Sequence, residues 1–458
     1  MLVSRGLPAC LFGVLLLVSA RVSAATPANV LLSRGRTEPS IAIDPTTPST
    51  IVVATNTNYQ APVAGTYPTA YFTSRNGGRG FRFADTPTLW PYTTGADPGL
   101  SVADNGTIFY TYLGETPEYC SGGRSAVLLT KSFDHGIGFG TPAVVDANPA
   151  DDKPALAVRS GPPGHAHVFS SWTRWYSKGS DIWFARSTDG GAHFARARRL
   201  YGSRLDNFGS DSVVGPDGRI YVFWSVFHDT ALTAESPAYI AMRTSSDDGV
   251  HFGPVHRITG RFNSIPRMAV PGSLRNLTGP TAVSASQGVL YVAWAQVWRR
   301  HTDGAVDANI EISRSTNSGR SWSLPQSVND VAGGDRFMPS LSILHDGSVG
   351  VAFYDRRRSV WQLDTYAARV SFSRGFHRSQ NVRVNLASAP IADIYYIAPG
   401  STCFSPGRFF GDYIGTAGTA DNRLCVVWAD TGLHVPDETD VWFARVTLPS
   451  VPTGALLR

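Results

Sequence analysis

Clustered charge, long apolar runs, methionine and cysteine are all scarce in this 458-residue chain, and each scarcity removes a class of protein. Charged residues are 16% of the sequence. Lysine and arginine form no run longer than Arg356-Arg357-Arg358, which is too short for a basic arm for nucleic acid or a membrane surface. The one long apolar stretch is Ala9–Val18, too short to cross a bilayer, and nothing later is apolar enough to do so. There are four methionines and four cysteines, so neither a Met-rich groove nor a dense disulfide scaffold is expected.

The N-terminus reads as a secretory signal. Arg5 supplies the positive end, Ala9–Val18 the apolar centre, and Val22-Ser23-Ala24 a small-residue cleavage site. The expected organisation is residues 1–24 as signal peptide and 25–458 as one exported domain. Removal of the signal takes Arg5 and Arg21 and lowers the formal charge of +5 by two. It also takes Cys10, leaving Cys120, Cys403 and Cys425. Cys425 lies in the apolar run Leu424-Cys425-Val426-Val427-Trp428 and is expected to be buried; Cys120 and Cys403 are the pair expected to bond.

What the chain does have is glycine (45), proline (30) and aromatics: 11 Trp, 17 Tyr and 23 Phe. Glycine and proline set turns while aromatics fill pleated surfaces, a balance that favours many short strands. Within it one pattern repeats, Ser-x-Asp/Asn-x-Gly-x-x-Phe/Trp. It starts at Ser74, Ser132, Ser187, Ser245 and Ser315, at separations of 58, 55, 58 and 70 residues. A worn copy spans Ser371 to Phe376. In such a turn the Asp or Asn accepts hydrogen bonds from local backbone, Gly takes a positive φ, and the aromatic plugs the gap between sheets.

These residues resemble the Asp box, or bacterial neuraminidase repeat, of sialidase-like proteins. The resemblance implies an all-β propeller of four-stranded antiparallel blades. Each turn follows a strand such as Asp181–Arg186, and each is preceded by a strand pair, such as Pro154–Val158 with His167–Trp175. Seven such units are expected, with Asn29–Ser33 completing the last one. Six is the alternative, because the family's sialidases look six-bladed and the last unit has no box.

If the four strands of a unit are A to D from the centre outward, A starts and B ends share one face. The boxes, between C and D, lie on the opposite face and are scaffold. The A-start face collects Glu38, Asp97, Asp152, Lys153, Asp335, Arg336 and Asp412, with Trp172, Arg174, Trp298, Arg300, Tyr354, Asp355, Arg356 and Asp430 from B ends. Carboxylates there can act as acid, base or nucleophile on a glycan, arginines can grip acidic sugars, and aromatics can stack on sugar rings.

Sialidases with this repeat use three arginines for the substrate carboxylate, a Tyr–Glu nucleophile pair and an Asp acid/base. Their first arginine enters in an Arg-x-Pro motif. The corresponding stretch here is Arg36-Thr37-Glu38-Pro39-Ser40, with an acid beside the proline that would repel a sialic carboxylate.

The expectation is therefore a secreted, glycan-active protein, a sialidase-like glycoside hydrolase acting on acidic or sialylated glycans. Asp355, Asp412, Asp152, Tyr354 and Tyr413 are its candidate catalytic residues. Arg356, Arg336, Arg174, Lys153, Trp172 and Glu38 are its candidate substrate contacts. No cofactor is assigned; the histidines lack zinc-type spacing, and Asp303 with Asp307 are the only oxygen ligands suggested for Ca²⁺. A non-catalytic glycan-binding module and a polysaccharide lyase are the alternatives.

Overall fold

A computed structural model describes residues 27–57, 69–162, 164–228, 236–264, 267–268, 274–275, 278–302, 306–394, 396–397, 407–431 and 439–451. The signal sequence, Asp303 and Cys403 lie outside these residues, as does the Cys120 side chain, so the expected disulfide does too. The described part is all β. It contains three single-turn 3₁₀ segments and no α-helix, and no helix long and apolar enough to cross a membrane.

The strands fall into antiparallel meanders of four, A to D. The first holds Arg36–Ile43, Ile51–Thr57, Ala70–Ser74 and Arg82–Asp85. The second holds Thr94–Val102, Ile108–Glu115, Ser125–Ser132 and Ala143–Asp146. The third holds Asp151–Arg159, His167–Trp175, Ser180–Ser187 and Arg198–Tyr201. The fourth holds Asp206–Val214, Ile220–Phe227, Ser236–Ser245 and His256–Arg257. The fifth holds Thr281–Ser284, Leu290–Arg300, Val306–Ser315 and Gln326–Ser327. The sixth holds Arg336–Ile343, Val349–Asp355, Gln362–Ser371 and His377–Arg378. The last joins Gly415–Gly418, Leu424–Asp430 and Asp440–Val446 to the N-terminal strand Asn29–Arg34. That last pairing brings the two ends of the chain into one sheet.

The apolar core lies between meanders. Val52, Ala54 and Tyr71 of the first pack on Ile108, Tyr110 and Leu128 of the second. Clusters of the same kind join each meander to the next. Ile41, Val53 and Phe72 of the first pack on Val427 and Phe443 of the last. Cys425 is buried in this last cluster, as expected.

The repeated turns seal these seams from one side. In each, the Asp or Asn accepts from the backbone N–H four residues on, and the glycine N–H donates to the serine hydroxyl, as at Asp189 with His193 (3.0 Å) and Gly191 with Ser187 (2.9 Å). The turn aromatic then packs on the preceding meander: Phe139 on Tyr71 at 4.7 Å, Phe252 on Phe184 at 4.9 Å, Trp322 on Phe223 at 5.9 Å. Phe81 of the first turn packs on Phe443 of the last meander at 5.0 Å. A repeat read from sequence thus acts as an inter-sheet plug.

Candidate functional site

The A strands converge. Residues from the start of every one line a single cavity of about 230 Å³, among them Ser40, Leu100, Lys153, Ser210, Pro280, Met338 and Tyr413. The A-strand ends line a separate cavity at the opposite pole, between Asp104, Arg159, Gly215 and Ser286.

A shared backbone device recurs beside the first cavity. Register shifts interrupt the A–B ladder between Thr37 and Ser40, Ala96 and Gly99, Asp152 and Ala155, and Phe337 and Ser340. At each bulge a non-glycine residue before proline has positive φ: Glu38 (53°), Asp97 (53°), Lys153 (52°) and Met338 (50°). Such a conformation costs on the order of 1–3 kcal/mol per residue and persists only where packing imposes it. Three of the four residues so held are ionisable and adjoin one another.

Lys153 is the hub. Its Nζ is 2.6 Å from Asp412 Oδ2, its backbone N–H donates to Asp97 Oδ2 at 3.1 Å, and its ammonium sits 4.8 Å from the Tyr413 ring centre. Glu38 accepts from the backbone N–H of Asp412 at 2.9 Å and from the side-chain amide of Asn56. A Cβ at Gly411 would lie 2.2 Å from Thr37 Oγ1, so only glycine lets Asp412 come this close. Asp152 accepts from the Trp175 indole at 2.8 Å.

Burial pushes Asp97 well above the usual carboxylate range; Lys153 opposes this, while Glu38 and Asp152 reinforce it. Burial, then Asp97 and Asp152, push Glu115 at the end of strand B up to about 8. Burial works against the charge of Lys153, but Asp412, Asp97, Asp152 and Glu38 more than offset it and raise its pKa. Burial and the same four acids raise Tyr413 well above an ordinary phenol. Near neutral pH Glu115 therefore holds its proton, beside four other carboxyl groups and one ammonium.

Glu38, Asp152, Lys153, Asp412 and Tyr413 thus come together as sequence reasoning placed them. The other named residues do not join them. Asp355 is fully buried, bonded to Arg336 Nε at 3.0 Å and to Arg357 Nε at 2.7 Å. Arg356 pairs with Asp335 through Nε at 2.8 Å. Tyr354 is buried and ties the sixth meander to the seventh, donating to the Ala429 carbonyl at 2.9 Å and accepting from its N–H at 3.0 Å. Arg174 is held by Asp151 at 2.6 Å and by Asp146, and lies 3.8 Å over the Trp183 ring. Trp172 is fully buried in the core between the second and third meanders. Five of these six are bonded within the fold and Trp172 is packed into the core, and none of the six lines the cavity.

Glu115 was missed, although it ends an aromatic strand as Asp355 and Asp430 do. Among the described residues no group of three or more His, Cys, Asp or Glu side chains is arranged to hold a metal ion. Asp307 is bonded instead to His301 (3.0 Å) and the Gly334 N–H (2.7 Å).

No protein-family model and no curated protein sequence matches the chain. Among solved structures it is similar to an α-L-arabinofuranosidase from Fusarium graminearum, at 12% identity and a TM-score of 0.48, over 76% of this chain and 98% of that one. It is also similar to a Dyadobacter fermentans protein of unknown function, at 14% identity and 0.46, over 92% and 99%. A Hadza microbial sialidase gives 12% identity and 0.45, over 86% and 76%.

Proposed function

We propose that the protein is an exported glycoside hydrolase, built as a seven-bladed Asp-box propeller, with its centre at the carboxyl cluster of the A-start cavity. Blade count and closure rest on the four-stranded meanders, the pairing of Asn29–Arg34 with Asp440–Val446, and the core cluster joining the last meander to the first. The chemistry rests on one arrangement: Glu115, at the end of the second B strand, lies in the carboxyl cluster, where burial first and then Asp97 and Asp152 push it up to about 8.

Glycoside hydrolysis needs a neutral acid to protonate the leaving oxygen and an ionised carboxylate to attack or to activate water. Glu115 is the donor in this reading. Asp152 is the carboxylate, oriented by the Trp175 indole. Asp412 and Lys153 fix the floor, and Tyr413 forms part of the wall.

The test is sugar release by purified residues 25–458 from a broad glycan panel, followed as reducing ends and as the ultraviolet absorbance of unsaturated uronates. Release that is lost in Glu115→Gln and Asp152→Asn, with unfolding temperature retained, supports the hydrolase. Absorbance from unsaturated uronates points to a lyase. Binding without release makes the protein a glycan-binding propeller.

A further inference from the structure

We infer that the glycan accepted at this centre is an uncharged chain, held by stacking across the A-start face, and not a sialylated or uronic one. The inference rests on the hydrolase reading and replaces the acidic substrate expected from sequence. Two independent observations carry it.

The first is where the cations go. Recognition of a sugar carboxylate needs an arginine fork or an ammonium free to turn towards it. The arginines that the A starts and B ends of the third and sixth meanders hold inside the fold are engaged by an acid of their own meander or by Asp146 and Asp330 beside them; Arg358, in the sixth B–C connection, is exposed and reaches only Ser388. Arg174 binds Asp151 and Asp146; Arg336 and Arg357 bind Asp355; Arg356 binds Asp335; Arg357 also reaches Asp330 at 2.8 Å. Lys153 is bonded to Asp412. Four carboxyl groups, those of Glu38, Asp97, Asp152 and Asp412, therefore act on one neutralised ammonium, with Glu115 beside Asp97 and Asp152. A substrate carboxylate entering there meets acidic groups at short range, a repulsion that a partly desolvated site strengthens.

The second is where the exposed aromatics lie. Trp90 (85% exposed) sits in the linker into the second A strand, and Trp298 (57%) near the end of the fifth B strand. Trp361 (62%) and Tyr176 (46%) sit in the B–C connections of the sixth and third meanders. All four positions are at the A-start end of their meanders. Among the described residues the repeated turns at the other end expose one large aromatic, Phe133. Flat rings presented to water mainly on one face are a stacking surface for the apolar faces of sugar rings, which need no charge. Four platforms on different meanders fit a chain of several residues better than a single terminal sugar.

The experiment compares matched substrates that differ only in a carboxylate: aryl glucoside with aryl glucuronide, and aryl galactoside with aryl galacturonide. These are run beside neutral and uronic polysaccharides and sialyllactose. Turnover and affinity-gel retardation are both read, at low and high salt. The expected result is consumption or retardation by neutral members at least ~10-fold above their acidic partners, with the gap narrowing as salt rises. Trp298→Ala and Trp361→Ala should each raise KM, or the retardation constant, for the neutral polymer by ~3- to 10-fold. A preference for uronides or sialosides overturns the inference and leaves the hydrolase reading standing. Unchanged polymer binding in both tryptophan variants overturns the stacking face. Neither release nor retardation by any member overturns the hydrolase reading and the inference together.

Discussion

Two acid–base doublets enter the molecule in the same way and end in opposite states. Asp152-Lys153 and Asp335-Arg336 both start an A strand, and both strands carry a bulge before the following proline. In the sixth meander each charge is settled at home. Asp335 takes Arg356, and Asp355 takes Arg336 and Arg357. In the third meander Lys153 reaches out to Asp412 of the seventh. Asp152, Asp97 and Glu115 then lie together with no arginine among them, and burial raises the last two. The difference is one of cation chemistry. An arginine fork satisfies two oxygens of one carboxylate at fixed geometry, while a lysine is a point charge on a flexible stem and several acids can share it. The first arrangement locks a structure, and the second stores a proton.

Changes on the two sides of this comparison should separate activity from stability. The largest effect is expected on activity. Glu115→Gln removes the stored proton and should cut kcat by about 100- to 10,000-fold with little change in unfolding temperature, read by reducing-end assay and thermal melts. Loss of fold in this variant would place Glu115 with the structural pairs.

Asp355→Ala is the mirror experiment. It strands Arg336 in the interior and leaves Arg357 to Asp330 and Asn381, and should cost about 3–5 kcal/mol in denaturant unfolding, while folded molecules retain their specific activity. A cost near zero would show that the sixth-meander pairs are not the lock described above.

The third expectation concerns pH. Glu115 sits at about 8 in the folded chain, above its value of about 4.3 when unfolded. The native state binds the extra proton between these values, so stability should fall as pH rises from about 4.5 to 8 and level off beyond. Asp97 works in the same direction. The loss should be on the order of a few kcal/mol, and Glu115→Gln should flatten it. A curve that instead rises across this window would contradict the shared-proton picture.

The smallest effect is expected away from both clusters. Gly191 has a φ of 73°, and a Cβ there would lie 2.4 Å from Leu129 of the second meander. Gly191→Ala should cost about 1–3 kcal/mol without altering the pH dependence. If it shifted the pH profile as Glu115→Gln does, the turns and the cluster would not be separable.

Much of the architecture was legible because it is written locally. The Ser-x-Asp/Asn-x-Gly turns carry their own hydrogen bonds within five residues, so their spacing marks the meanders. The aromatic strands Ile220–Phe227 and Leu290–Arg300 announce buried B positions. Connectivity alone then puts A starts and B ends together, which brought Glu38, Asp152, Lys153, Asp412 and Tyr413 into one cluster, with Lys153, Asp412 and Tyr413 lining the cavity. The doublets Glu38-Pro39, Asp97-Pro98 and Lys153-Pro154 were also readable, although their left-handed backbone was not. Proline ordinarily steers its predecessor to extended conformations.

The chain by itself determined the strand order, the two faces and the stock of ionisable groups brought to one of them. Only the tertiary structure decided which of those groups pair and which share a proton. That choice turns on gaps of a few ångströms between side chains of different meanders, such as Lys153 and Asp412, 259 residues apart. Packing of the seams sets those gaps, and the electrostatic energy of an acid changes steeply over them.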